Sequence, residues 1–254
     1  SEPDETMLAV EISIDIPNSK RGVNKFIEDP VAFVVNQMKR NTVEVRERTL
    51  TDEELAQFKL AKDKEVRSYI QSHCFKVLPL EQQDKLDSVG MRWVLTWKGL
   101  EDGSGGHKAK ARAVILGYQD KNYEFKQTAS PTLSRSGRQA FLAFRSQCHF
   151  RVRRGDVSSA FLQGDTLKDG MKVQPTREIC DALGIPHGSV TQLQRAAYGL
   201  VEAPLWWYKS VSNFLISLGY TRMKTEPCIW VYFDETGTPR SAISGHVDDF
   251  LFAG

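Results

Sequence analysis

Apolar and polar residues change their period along the chain, and each change marks an element. Val10 to Ile16 alternates apolar and polar positions, the period-two pattern of a short strand. Pro17-Asn18-Ser19 and Asp29-Pro30 break it. Residues 31–48 follow no clear period, so residues 1–50 read as a poorly ordered leader or linker. Thr51-Asp52-Glu53-Glu54 is a capping box, with Thr51 as N-cap and Glu54 three residues on. Leu55, Phe58, Lys62, Val66 and Tyr69 then keep helical spacing, which predicts a helix over about 52–72.

From Cys74 the pattern turns to β. Phe75–Pro79 is a short edge segment. Met91–Lys98 is rich in strand formers. A Gly-rich turn over 101–107 leads into Lys108–Tyr118, which predicts a long hairpin. Lys108, Lys110 and Arg112 alternate along its second strand and fall on one face. Three cations in that arrangement suit phosphates, and they equally suit the solvated face of an edge hairpin.

Ser134 can cap a helix running to about Cys148. Phe150–Val157 reads as a strand ending at Asp156, followed by a loop or helical turn to Gly164. Lys172–Pro175 is a short β segment. Residues 190–199 are mixed, with at most a turn of helix. Ala203–Leu218 is amphipathic, and Gly219 stands where a left-handed cap belongs. Ile229–Phe233 and Ser241–Gly245 are strands around a turn at 235–238, and Val247–Phe252 completes a final hairpin. Its second strand is short, and fraying is expected there.

Composition narrows the class. Of 254 residues, 41% are hydrophobic and 26% charged, enough for a real core and not a disordered chain. That length allows one large domain or two small ones. No apolar run approaches the ~20 residues of a membrane span. The acidic start, Ser1 to Glu5, lacks a signal-peptide core. Cys74, Cys148, Cys180 and Cys228 lie far apart with no CxxC pair. They read as reduced thiols of an intracellular protein, cytoplasmic or nuclear, and not as structural zinc ligands. Charge is uneven. Residues 91–154 hold thirteen bases against four acids, inside a chain of net charge +2. A basic block with interleaved aromatics is the footprint of a polyanion partner such as nucleic acid.

The candidate chemistry is acidic. The chain ends His246-Val247-Asp248-Asp249-Phe250-Leu251-Phe252-Ala253-Gly254, two adjacent carboxylates between apolar runs. They are either solvated turn residues or ligands of a divalent metal, since buried carboxylates are costly unless paired or metal-bound. Asp156 stands where a strand ends and a loop begins, the usual edge of a cleft. If its strand lies beside the terminal hairpin, Asp156 and Asp248 face one volume. Carboxylates shared by two Mg²⁺ ions ~4 Å apart clamp a phosphoryl transfer, and Mg²⁺ favours such oxygen ligands.

The order of motifs is specific as a set: KAKARAVILGY (108–118), SPT (130–132), RGDVSSAFLQG (154–164), MKVQP (171–175), YGLVEAPLWWY (198–208) and HVDDFLFAG (246–254). From about residue 55 onward it resembles the reverse transcriptase of copia-type LTR retrotransposons, and WVLTWK (93–98) fits as well. The resemblance implies an α+β fold of fingers and palm, with a small antiparallel palm sheet backed by helices near 135–147 and 203–218, over residues 51–254. It implies catalytic roles for Asp156, Asp248 and Asp249, clustered within metal-bridging reach. Val157 would add a backbone carbonyl to the metals, two Mg²⁺ ions with Mn²⁺ as a substitute. Asp248 would be the stronger ligand of the terminal pair and Asp249 the weaker. Lys110 and Arg112 would hold the incoming triphosphate, and Phe161 would exclude a ribose 2′-OH. Tyr198 to Tyr208 would back nucleotide and template, with Glu202 at the nucleotide sugar.

The implied reaction is attack of a primer 3′-OH on a dNTP, directed by an RNA or DNA template. The intact element would add integrase, protease and RNase H domains as partners. Four positions depart from the family pattern: His246 for its Tyr, Val201 for its Lys, Glu202 for its Gln and Leu205 for its Arg. The chain also stops inside the palm hairpin, which leaves the thumb downstream and implies little processive synthesis. The competing reading is a catalytically silent or vestigial nucleic-acid-binding protein with a polymerase-like fold. A metal-dependent hydrolase ranks third, since no His–acid pair stands ready to activate water.

Overall fold

A computed structural model describes residues 20–34, 44–100, 105–127, 129–167 and 170–254. The strand expected over 10–16 lies outside them. Helix α1 (Lys20–Glu28) falls inside residues 1–50, the region read as a poorly ordered leader or linker. Residues 44 and 45 pack on the first sheet, where Glu44 forks onto Arg92 at 2.7 and 2.9 Å and the Val45 N–H donates to the Leu95 carbonyl.

Helix α2 (Asp52–Gln71) starts at the expected box: Thr51 Oγ1 accepts from the Glu54 N–H, and the Glu54 carboxylate accepts from the Thr51 N–H. It buries Phe58, Val66 and Tyr69. Strands β1 (Phe75–Val77), β2 (Val89–Gly99) and β3 (His107–Ile115) follow. Helix α3 (Arg135–Gln147) is capped by Ser134, whose hydroxyl accepts from the Gly137 N–H at 2.9 Å. Next come β4 (Val152–Asp156), a 3₁₀ turn over Ala160–Gln163, β5 (Lys172–Gln174), α4 (Arg177–Leu183) and β6 (Thr191–Leu193). Helix α5 (Ala203–Ser217) is followed by Gly219 at φ +91°. The chain closes with β7 (Thr221–Arg222), β8 (Ile229–Phe233), β9 (Pro239–His246) and β10 (Asp249–Ala253). The 190–199 stretch, read as mixed, thus contains a strand, and α4 was not anticipated. Both are short, and a few residues carry little periodicity.

The strands among the described residues form two five-stranded sheets. The first has order β1-β6-β5-β2-β3, with β2 and β5 parallel. The second, β4-β10-β9-β8-β7, is antiparallel throughout. The second sheet is covered on both faces. Trp207 and Leu215 of α5 pack with Trp230, Ile243 and Phe250, while Phe141 of α3 packs with Ile229, Val231, Ala242 and Ala253. The final strand does not fray as expected. Strand β10 is an interior strand, hydrogen-bonded along its length to β4 on one side and β9 on the other.

Strand β3 is the edge of the first sheet, and an open edge leaves backbone groups unpaired. Helix α2 closes it with side chains. The Tyr69 hydroxyl donates to the Ala113 carbonyl at 2.7 Å, the Glu65 carboxylate accepts from the Ala113 N–H, and the Ile115 N–H donates to the Tyr198 carbonyl at 2.7 Å. Ala109, Ala111, Ala113 and Ile115 face inward, so Lys108, Lys110 and Arg112 share the opposite face, as the alternation predicted. All four cysteines are free, and Cys74, Cys180 and Cys228 are buried. Among the described residues no helix is long and apolar enough to cross a membrane.

Candidate active site

The site begins with the pairing of two remote strands. Register sets Asp249 directly opposite Asp156, and the Val157 N–H donates to the Asp248 carbonyl at 2.9 Å. Positions paired in this way hold their side chains on one face, about 4.5–5.5 Å apart at Cβ. Gly155 permits the close approach, because a Cβ there would lie 2.8 Å from the Phe252 ring. Asp248 occupies the two-residue turn between β9 and β10. The other turn residue, Val247, has φ +58°, the left-handed region that a β-branched residue rarely enters. Trp207 of α5 holds it there, with Nε1 donating to the Val247 carbonyl at 2.6 Å. Beneath the turn lies a shallow open cleft, lined in part by Pro131, Thr132, Trp207, Trp230 and Phe250. The SPT motif is thus a wall of this cleft.

Across from the acids stand the cations of β3. Lys110 and Arg112 are half-buried. Burial, then Arg112 and Lys98, pull the Lys110 ammonium below its ordinary value, against the attraction of Asp248 and Glu65. The Arg112 guanidinium lies 4.9 Å from the centre of the Tyr198 ring. The same ring meets Phe161 edge-on, with centroids 5.1 Å apart. Burial pushes the Tyr198 phenol up, Arg112 opposes the shift, and Glu65, Asp248 and Asp156 add to it. Tyr198 therefore feels the charges of the acids and of β3 together. Behind the cations, burial also raises the Glu65 carboxyl, whose Oε1 is enclosed without a hydrogen-bond partner among the described residues.

Two of the expected site residues carry ion pairs. Asp249 turns to Arg154, its diagonal neighbour on the same face, which donates through Nη2 at 2.8 Å and Nε at 3.3 Å. Among the described residues no three carboxylate, imidazole or thiol side chains stand close enough to enclose a metal ion. The Arg154 guanidinium on the adjoining strand thus pairs with one of the three acids expected to cluster. The donor chemistry still suits a hard divalent cation: Asp156, at the end of β4, and Asp248, in the turn before β10, are carboxylate oxygen donors on neighbouring strands. Glu202, at the start of α5, pairs with Lys126 at 3.1 Å. Lys126 also holds Asp120 at 2.6 Å, and although burial pulls its ammonium down, these two bonds raise it.

The sequence reading missed Tyr198 as an individual contact, Glu65, Arg154 and Trp207. Glu65 had a signal, since it shares the helical phase of Phe58, Lys62 and Tyr69 and is an acid on a packed face. Arg154 had none, because its partner lies 95 residues away.

Comparison with known proteins agrees with this arrangement. The family profile "Reverse transcriptase (RNA-dependent DNA polymerase)" matches residues 73–254. The "Retrovirus-related Pol polyprotein from transposon RE1" of Arabidopsis thaliana is 29% identical over 191 residues, 75% of this chain and 13% of that protein. The corresponding polyprotein from transposon TNT 1-94 of Nicotiana tabacum is 29% identical over 208 residues, 81% of this chain and 15% of its own length. The chain thus spans about one seventh of the relatives it matches. With the profile covering most of its residues, the chain belongs to the reverse transcriptase (RNA-dependent DNA polymerase) family, as its copia-type motif order implied.

Proposed function

We propose that this chain is the fingers-and-palm portion of an RNA-directed DNA polymerase, joining dNTPs to a primer 3′-OH along an RNA or DNA template. The observation that carries this reading is the register of β4 with β10, which sets Asp156 against the Asp248–Asp249 turn although some ninety residues separate them. The first sheet acts as fingers and the second as palm.

Asp156 and Asp248 supply carboxylate oxygens at the mouth of the site, and the Val157 N–H and Trp207 Nε1 fix the backbone of the turn between them. Asp156 and Asp248 would hold divalent cations there, whose chemistry would be to acidify the attacking hydroxyl and offset charge on the pyrophosphate. Lys110 and Arg112 receive the triphosphate, a role for charge-assisted hydrogen bonds. In this reading Phe161 serves to exclude a ribose 2′-OH, a role supported by its place five residues after Asp156. Glu202, neutralised by Lys126, serves to hold the 120–126 segment against α5. Base pairing supplies sequence, so the protein reads backbone and shape.

The Arg154–Asp249 pair favours a second reading, a nucleic-acid-binding protein without catalysis, because one of three acids is already occupied. A single-nucleotide extension assay decides between them. Poly(rA)/oligo(dT) with dTTP and Mg²⁺ should give slow, distributive incorporation that Asp156→Asn abolishes. Salt-dependent RNA binding with no incorporation, unchanged by Asp156→Asn, establishes the second reading instead.

A further inference from the structure

We propose that Tyr198 is a positioning residue that couples the triphosphate contact to sugar selection, an inference that rests on the polymerase reading above. Three observations carry it. One phenol ring carries the Arg112 guanidinium on its face, 4.9 Å from its centre, and meets the Phe161 ring edge-on at 5.1 Å. Both geometries are attractive for an electron-rich ring: the cation meets the negative face, and the perpendicular rings avoid stacking face on face.

The ring is also anchored to the strand that supplies Arg112. The Tyr198 carbonyl accepts from the Ile115 N–H at 2.7 Å, so its backbone continues the open edge of β3. Gly199 then turns away at φ +94°, packed so closely that a Cβ would lie 2.0 Å from the Ile115 carbonyl oxygen. Tyr198 is therefore fixed to β3 through its backbone and to the 3₁₀ turn after β4 through its ring.

Phe161 sits in that 3₁₀ turn, five residues past Asp156. Phe161 packs against the cluster of Trp207, Trp230 and Phe250, and the edge-on contact with Tyr198 ties its ring to β3 as well. When Arg112 shifts toward a bound triphosphate, the Tyr198 ring loses or adjusts its cation, and the Phe161 edge follows. Discrimination between 2′-H and 2′-OH thus depends on the seating of the phosphates.

The test measures binding of dATP and ATP to the chain on a dideoxy-terminated primer–template, with fluorescence of a 2-aminopurine beside the templating base. Tyr198→Leu should lower the ratio of dATP to ATP affinity about three- to tenfold, the range for losing one such aromatic pair. Tyr198→Phe, which keeps both ring contacts, should restore the ratio. Arg112→Met should also lower it, although Arg112 faces phosphate. Equal weakening of both nucleotides by Arg112→Met, or an unchanged ratio in Tyr198→Leu, overturns the coupling while leaving the polymerase reading intact. If Tyr198→Leu fails to fold, the Arg112→Met ratio alone decides. A wild-type chain that binds neither nucleotide removes the polymerase reading and the coupling together.

Discussion

Replacing Arg154 by methionine should tighten divalent-metal binding. The guanidinium holds Asp249 through two hydrogen bonds, yet the pair is open to water, with the Arg154 side chain 74% exposed and Asp249 44%. Such exposed pairs contribute about 0.2–1 kcal/mol. Freeing Asp249 therefore returns at most about 1 kcal/mol to a competing cation, roughly fivefold in affinity. Removing a positive charge from the flank of the site adds a term of the same order, since unit charges about 4 Å apart in water interact by about 1 kcal/mol. Together they predict a gain of about three- to twentyfold. Methionine keeps an unbranched stem over the strand, and loss of an exposed pair should leave the melting temperature nearly unchanged. Loss of the free Mn²⁺ signal in electron paramagnetic resonance reads the affinity directly, without turnover. The double variant Arg154→Met/Asp249→Asn should lose most of the gain, and 1 M salt should compress it by screening. Unchanged or weaker Mn²⁺ binding in Arg154→Met refutes the competition, as does a gain that survives in the double variant.

Two further outcomes test the frame around the site. Gly199→Ala adds a methyl group where the Ile115 carbonyl oxygen would be 2.0 Å away, at φ +94°. The loop must leave β3, so urea denaturation should show a loss of more than about 2 kcal/mol, whereas a midpoint equal to wild type contradicts the packing. In the β8–β9 turn, bonds from the Thr236 hydroxyl, the Thr238 N–H and Arg240 hold the Asp234 carboxyl down at about 2, against an ordinary value of 3.8. A depressed folded-state value means the stabilisation is present above pH ~4 and is lost as pH falls toward 2. The melting-temperature gap between wild type and Asp234→Asn should accordingly narrow from pH 5 to pH 2, and a gap independent of pH would falsify the assignment.

What the sequence determined by itself was local or ordered along the chain. The Thr51 box, the Ser134 cap and the cap at Gly219 are each written in a few adjacent residues, and each helix or turn forms where they stand. The alternation from Lys108 to Arg112 was legible because a strand's period is fixed by its backbone. Asp156 at a strand end and a turn at the Asp248–Asp249 pair were legible for the same reason, although only Asp248 lies in the turn and Asp249 opens β10, and the order of motifs identified the family.

Only the tertiary structure decided which groups meet. The β4–β10 register turned two distant acidic motifs into one strand-end pair and made the final strand interior. It also brought Arg154 onto Asp249, so the same pairing that assembles the acids occupies one of them. Glu202 found Lys126 across 76 residues, and Tyr198 acquired Arg112 on its face and Phe161 at its edge. Propensity and period act within a turn or a strand, whereas charge pairs and ring contacts depend on distances between segments. Those distances are set by which strands pair, and in what register.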